Sequence, residues 1–161
     1  MSGAVGAAVV AADQVTKSWA QANLAQHHFL HVFGPVSLIL TYNSGTAFGL
    51  GRGATPVVGA VVIVLVAALV AFGRKASRSA TMPMAILWGL LMGGAVSNLC
   101  DRLFRANHGA VIDFIDIARI GRHSYWPVFN LADASIVVGS VGLVLAYWLR
   151  GRRELSKAAE S

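Results

Sequence analysis

The segments VIDFID (111–116) and FNLADASI (129–136) put aspartates where the chain passes between loop and apolar run. An ionised aspartate near the middle of a membrane helix costs about 2.5–3.5 kcal/mol on insertion scales, so one kept there is either satisfied locally or reserved for chemistry. Two carboxylates held close together cannot both ionise cheaply; one keeps a proton while the other serves as a base. The base takes a proton from water, the water attacks a carbonyl, and the protonated partner stabilises the developing oxyanion. That is peptide hydrolysis with neither metal nor covalent intermediate. Asp113 and Asp133 are the candidate pair, with enough chain between them for a loop to fold back.

Each polar group also has a structural reading. Asn130 is placed to cap the last helix, with Asp133 at the third helical position, where the helix dipole favours negative charge. Asp113 and Asp116 are three apart and could both be solvated loop residues. Asp13 and Lys17, four apart on one helical face, can pair. Asp101 and Arg102, in NLCDR (98–102), read as an interfacial ion pair, and Asn43, in YNSGTAFG (42–49), as a turn residue beside Gly45.

Other chemistries have less to stand on. His27 and His31, in HHFLH (27–31), have the spacing of helical zinc sites but no H-E-x-x-H glutamate, and they sit beside an expected hairpin. No metal ligand and no cofactor is assigned. Ser44, Ser97 and Ser135 lack a placed His or Lys base, and Cys100, the one cysteine, lacks a His partner and forms no intramolecular disulfide.

The elements that must position these groups follow from composition. The 161 residues are 56% hydrophobic and 12% charged, with mean hydropathy +0.63. Soluble domains are usually about a quarter charged. The net charge of +6 clusters at the ends of apolar runs, at Arg74, Lys75 and Arg78 and again at Arg150, Arg152, Arg153 and Lys157. That is the pattern of the positive-inside rule and not of a nucleic-acid face. Crossing about 30 Å of hydrocarbon takes roughly 20 residues of helix. The expected architecture is an α-helical membrane protein forming one domain over residues 1–161, with four spans near 3–23, 55–73, 81–99 and 131–149. Thr55 and Pro56 would open the second span. The first carries Asp13 and Lys17, and it lacks the basic start and A-x-A-like exit of a secretory signal peptide.

Placing both basic segments in the cytoplasm puts both termini inside and 24–54 and 100–130 on the outer face. Arg52, Arg102, Arg105, Arg119 and Arg122 lie on that outer side, against the rule's direction without reversing it. FLHV and SLILTY, separated by Phe33-Gly34-Pro35-Val36, read as a hairpin of a small outer sheet at the membrane surface.

DQVTK (13–17), YNSGTAFG (42–49), GGAVSNLCDR (93–102), VIDFID (111–116) and FNLADASI (129–136), in this order around four spans, resemble lipoprotein signal peptidase, also called signal peptidase II, of bacterial membranes. The resemblance covers nearly the whole chain. It implies an aspartic endopeptidase of the bacterial cytoplasmic membrane, acting as a monomer at the outer face. Such an enzyme removes the signal peptide of prolipoproteins just before a cysteine carrying diacylglyceryl. Its partners are lipidated prolipoproteins and membrane lipid, not nucleic acid. By motif the catalytic pair is Asp113 and Asp133, which sets Asp116 aside. Asp13, Lys17, Asn43, Asn98, Asp101, Arg102 and Asn130 are implied as substrate-binding or site-shaping residues, and the outer sheet as a β-cradle. The family usually has glycine where this chain has Ser97, a small residue expected to be tolerated in a packed membrane helix.

Two rival readings are a small transporter, whose polar groups would spread through the bilayer depth, and an inactive relative acting as a scaffold. The aspartate reading also predicts that chelators leave activity unchanged. Strong inhibition by EDTA that zinc reverses would favour the histidines instead.

Overall fold

The computed structural model describes residues 1–26, 29–45, 64, 81–121 and 123–159. Apart from Val64, the expected span 55–73, with its Thr55–Pro56 start, lies outside the described residues, as does His27. Three long helices run through the rest. α1 (Ser2–Leu24) is rich in alanine and valine but carries Asp13, Gln14 and Lys17 in its middle. α2 (Met82–Phe104) starts after Thr81, whose backbone is extended. Pro83 follows in the first turn, where an N–H would have no helical acceptor anyway. α3 (Leu131–Ala159) carries Asp133 in its first turn. Among the described residues, α2 and the Leu131–Arg153 part of α3 are long and apolar enough to cross a membrane.

Two helices outrun their expected ends. α2 was expected over 81–99 and continues through NLCDR to Phe104, because Asp101 and Arg105 find partners on α1. α3 runs on past 149 into a basic segment, where cations suit a helix C-terminus.

α2 lies between the other two helices, packed along α1 on one side and α3 on the other. Trp88 and Leu91 on α2 bury against Leu143 on α3. Close approach is what makes this possible. A Cβ on Gly93 would fall 2.7 Å from the Gly6 carbonyl oxygen of α1 and 2.8 Å from Val9 Cβ. A Cβ on the adjacent Gly94 would run into the Ala132 carbonyl oxygen of α3.

β1 (Leu30–Phe33) and β2 (Val36–Asn43) form the antiparallel hairpin, turning at Gly34, whose φ of +49 is open to glycine without steric penalty. β3 (Val111–Asp116) joins β2, so the strand order is β1-β2-β3. β4 (Arg119–Ile120) and β5 (His123–Ser124) make a separate small hairpin. Side chains alternate along a strand. Ile112 and Phe114 therefore point together into a cluster with Ala20 and Leu24 of α1, and Asp113 points the other way. Burying two such side chains stabilises the register by roughly 1.5–3 kcal/mol each. A slip of one residue would drive Asp113 into that cluster.

Gly93→Val is expected to push α1 from α2 and lower the unfolding free energy by about 1–3 kcal/mol. Gly3→Ala, where nothing lies within 4 Å, is expected to be neutral or slightly stabilising in the same detergent unfolding assay.

Candidate active site

The start of α3 is fixed by a reciprocal cap. The Asp133 N–H donates to Asn130 Oδ1 at 2.8 Å, and the Asn130 N–H donates to Asp133 Oδ2 at 3.2 Å. The cap by Asn130 that the sequence suggests is present, and the bond returned by Asp133 completes a capping box. Asn130 is fully buried, and its amide reaches further. Nδ2 donates to Asp113 Oδ1 at 2.6 Å and to the Ile112 carbonyl at 3.2 Å. One residue thus touches both carboxylates, that of Asp133 through its backbone N–H and that of Asp113 through its side-chain amide.

The second oxygen of each aspartate is held from another element. Thr41 pairs with Asp113 and Asn43 with Val111, so Asn43 is the diagonal neighbour of Asp113 on the same face. Its Nδ2 donates to Asp113 Oδ2 at 3.0 Å while its Oδ1 accepts the Gly45 N–H, the turn contact expected of it. Asn98 Nδ2, on α2, donates to Asp133 Oδ1 at 2.7 Å.

The two carboxyls differ in surroundings. Asp113 is 1% exposed and Asp133 half-buried. Burial pushes the Asp113 carboxyl up from 3.8 to about 6, and the charge of Asp133 pushes the same way. Hydrogen bonds from Asn43 and Asn130 and the charge of Lys17 oppose the rise without cancelling it. Desolvation and the neighbouring negative charge both favour the protonated form of Asp113.

Behind the pair lies a buried polar cluster. Lys17 Nζ sits 2.7 Å from Asp13 Oδ2, 2.8 Å from Asp101 Oδ2 and 2.9 Å from Asn98 Oδ1. The Asp13–Lys17 pair is therefore present as the sequence suggested. The Asp101–Arg102 pair is not. Consecutive helical residues point about 100° apart, so Asp101 turns to Lys17 and Arg105, while Arg102 Nη1 donates to the Asn98 carbonyl at 3.2 Å. Asp116 is no solvated loop residue either. It is buried on the opposite face of β3, where the Ser124 hydroxyl, the Ala118 N–H and Arg119 bond to it. Asp113, the other aspartate for which a solvated loop position was open, is buried in the same strand.

Sequence reasoning missed three members of the cluster. Ser97, expected only to be tolerated, is fully buried and donates to Asp13 Oδ2 at 2.7 Å. Gln14 Nε2 donates to Ser97 Oγ and to Asp101 Oδ1 at 2.8 Å. Arg105 spans Asp101, Gln14 and Gln21. The signal was available as helical spacing: Gln14, Lys17, Ser18 and Gln21 form one stripe, and Ser97, Asp101 and Arg105 step by fours. His31 Nε2 lies 3.0 Å from the Gly34 carbonyl oxygen, within its own turn.

Residues 5–149 match the family model of signal peptidase (SPase) II. The lipoprotein signal peptidase of Syntrophomonas wolfei subsp. wolfei is 38% identical over 148 residues, covering 91% of each chain. That of Caulobacter vibrioides is 35% identical over 165 residues, covering 98% of this chain and 92% of its own. A bacterial membrane enzyme solved by the in meso method at 1.9 Å superposes with a TM-score of 0.76 at 30% identity, covering 91% of each chain.

The raised Asp113 value has a sign that can be measured. Between about 3.8 and about 6 the folded chain binds a proton that the unfolded chain has released, so stability falls as pH rises through that window. Unfolding in detergent is expected to show this slope, and Asp113→Asn to remove it.

Proposed function

The chain belongs to the signal peptidase II family, and from that premise we propose that it is a lipoprotein signal peptidase of the aspartic type, with Asp113 and Asp133 as its catalytic dyad. The substrate is a prolipoprotein whose cysteine carries diacylglyceryl, cut just before that cysteine. The observation that carries this reading is Asn130, which bonds to both carboxylates at once.

The chemistry follows from the difference between the two acids. Asp133, the less buried, takes a proton from a water molecule, and the resulting hydroxide attacks the scissile carbonyl carbon. Asp113 gives its proton to the carbonyl oxygen as that oxygen gains charge. The tetrahedral intermediate returns that proton to Asp113 as it collapses. The C–N bond breaks, and the proton held by Asp133 passes to the departing amine of the lipidated cysteine. Asn43, Asn98 and Asn130 keep both carboxylates in position, so no reorientation is needed as charge moves. Arg102, half-buried and near both aspartates in charge, is placed to meet the substrate.

In the proposed setting the chain is a monomer in the bacterial cytoplasmic membrane, with four spans, both termini in the cytoplasm and the dyad at the outer face. The lipid chains of the substrate remain in the bilayer while the scissile bond reaches the carboxylates, and the β1-β2-β3 sheet serves as a cradle beside it. A transporter would distribute polar groups along the helices. Among the described residues, the buried Asp13, Lys17, Ser97 and Asp101 of α1 and α2 form one cluster joined by hydrogen bonds and ion pairs, and Asn98 links it to Asp133, which favours hydrolysis.

Asp113→Asn and Asp133→Asn are each expected to abolish processing of a lipidated prolipoprotein while the protein still inserts into the membrane. Normal cleavage by either variant in detergent would overturn the assignment.

A further inference from the structure

Two backbone N–H groups stand directly beside the dyad, and a buried carboxylate holds each. Ala132, the residue before Asp133, donates its N–H to Asp13 Oδ1 at 2.8 Å. Ile112, the residue before Asp113, donates its N–H to Asp101 Oδ2 at 3.1 Å. The two acceptors are joined by one cation, since Lys17 Nζ lies 2.7 Å from Asp13 and 2.8 Å from Asp101. A continuous line of contacts therefore runs from Ala132, next to one aspartate of the dyad, to Ile112, next to the other, through α1 and α2.

We propose that Asp13, Lys17 and Asp101 form a cross-brace that sets the spacing of Asp113 and Asp133, acting as positioning residues and not as substrate ligands. The proposal rests on the reading of that pair as the dyad. Burial supports it, because all three side chains are 0% exposed and a substrate has no way to touch them. Charge supports it too. Lys17 and Arg105 balance Asp13 and Asp101, so the cluster is closed upon itself and offers nothing to an outside ion. The brace also explains Ser97. Its hydroxyl donates to Asp13 Oδ2 at 2.7 Å and accepts from Gln14 Nε2 at 3.1 Å, which fixes the carboxylate whose other oxygen holds Ala132. A glycine at this position would leave Asp13 with one bond fewer.

A brace and a purely electrostatic role predict opposite orders of activity. Asp13→Asn and Asp101→Asn lose the charge but keep an oxygen where the N–H needs one. Asp13→Glu and Asp101→Glu keep the charge but move the oxygen by a methylene. The full-length chain in detergent, assayed on a lipidated prolipoprotein peptide and normalised to folded protein, is expected to keep kcat within about tenfold in the asparagine variants. The glutamate variants are expected to lose about 100-fold in kcat, with KM changed by less than about threefold, as a displacement near 1 Å would cause. Where a glutamate variant does not fold, leucine at the same position, uncharged like asparagine but without an acceptor, takes its place and is expected to show the same loss. Glutamate variants more active than asparagine variants would overturn the brace, as would leucine matching asparagine or KM rising at steady kcat. Any of these results leaves the dyad standing, because Asp113→Asn tests it separately.

Discussion

A lysine ammonium buried among apolar helices is costly unless its surroundings supply negative charge and hydrogen-bond acceptors in the right directions. Lys17 has two carboxylates and an amide oxygen, from α1 and α2, and no exposed surface. Removing one partner of such a buried pair typically costs about 3–5 kcal/mol, because the remaining charge is left without compensation. The register of α1 against α2 is therefore held twice, once by the ion cluster and once by the glycine contacts at Gly6 and Gly93. Both devices tolerate little sliding. The sheet hangs from this fixed point through Ile112, and α3 through Ala132.

On that frame the two aspartates of the site come from different kinds of backbone. Asp113 is on a strand whose pleat turns it away from the Ile112 and Phe114 cluster and towards α3. Asp133 is in the first turn of a helix, where an acidic group is electrostatically welcome. Similar side chains thus arrive with unequal burial. The division of labour between acid and base in the proposed mechanism follows from that difference in environment, with no difference in residue type required.

The parts legible in the sequence were those set by short-range geometry. The Asn130–Asp133 cap, the Asp13–Lys17 pair and the Gly34 turn each lie within four residues along the chain, where helical or turn spacing decides the contact. Asp113 and Asp116 could have been separated by strand parity once 111–116 was taken as a strand, because an odd offset puts two side chains on opposite faces. The resemblance to signal peptidase II separated them first. The partners of Asp101 are not legible from its own motif, because they stand on the neighbouring helix and one turn further along its own. Ser97, Gln14 and Arg105 were overlooked for a related reason. Each is unremarkable alone and acquires a role only when α1 and α2 are laid together.

The reciprocal cap at Asn130 has a consequence for how related sequences should be interpreted. Asp133 is at once half of the proposed chemistry and the residue that closes the first turn of α3, and Asn130 serves both purposes with one side chain, Oδ1 closing the turn and Nδ2 holding Asp113. A descendant released from selection for turnover would still need a polar residue of this shape to start that helix. Retention of the pair across a lineage therefore reports foldability together with activity. Asp113, which caps nothing, is under the proposed chemistry the more discriminating marker of activity.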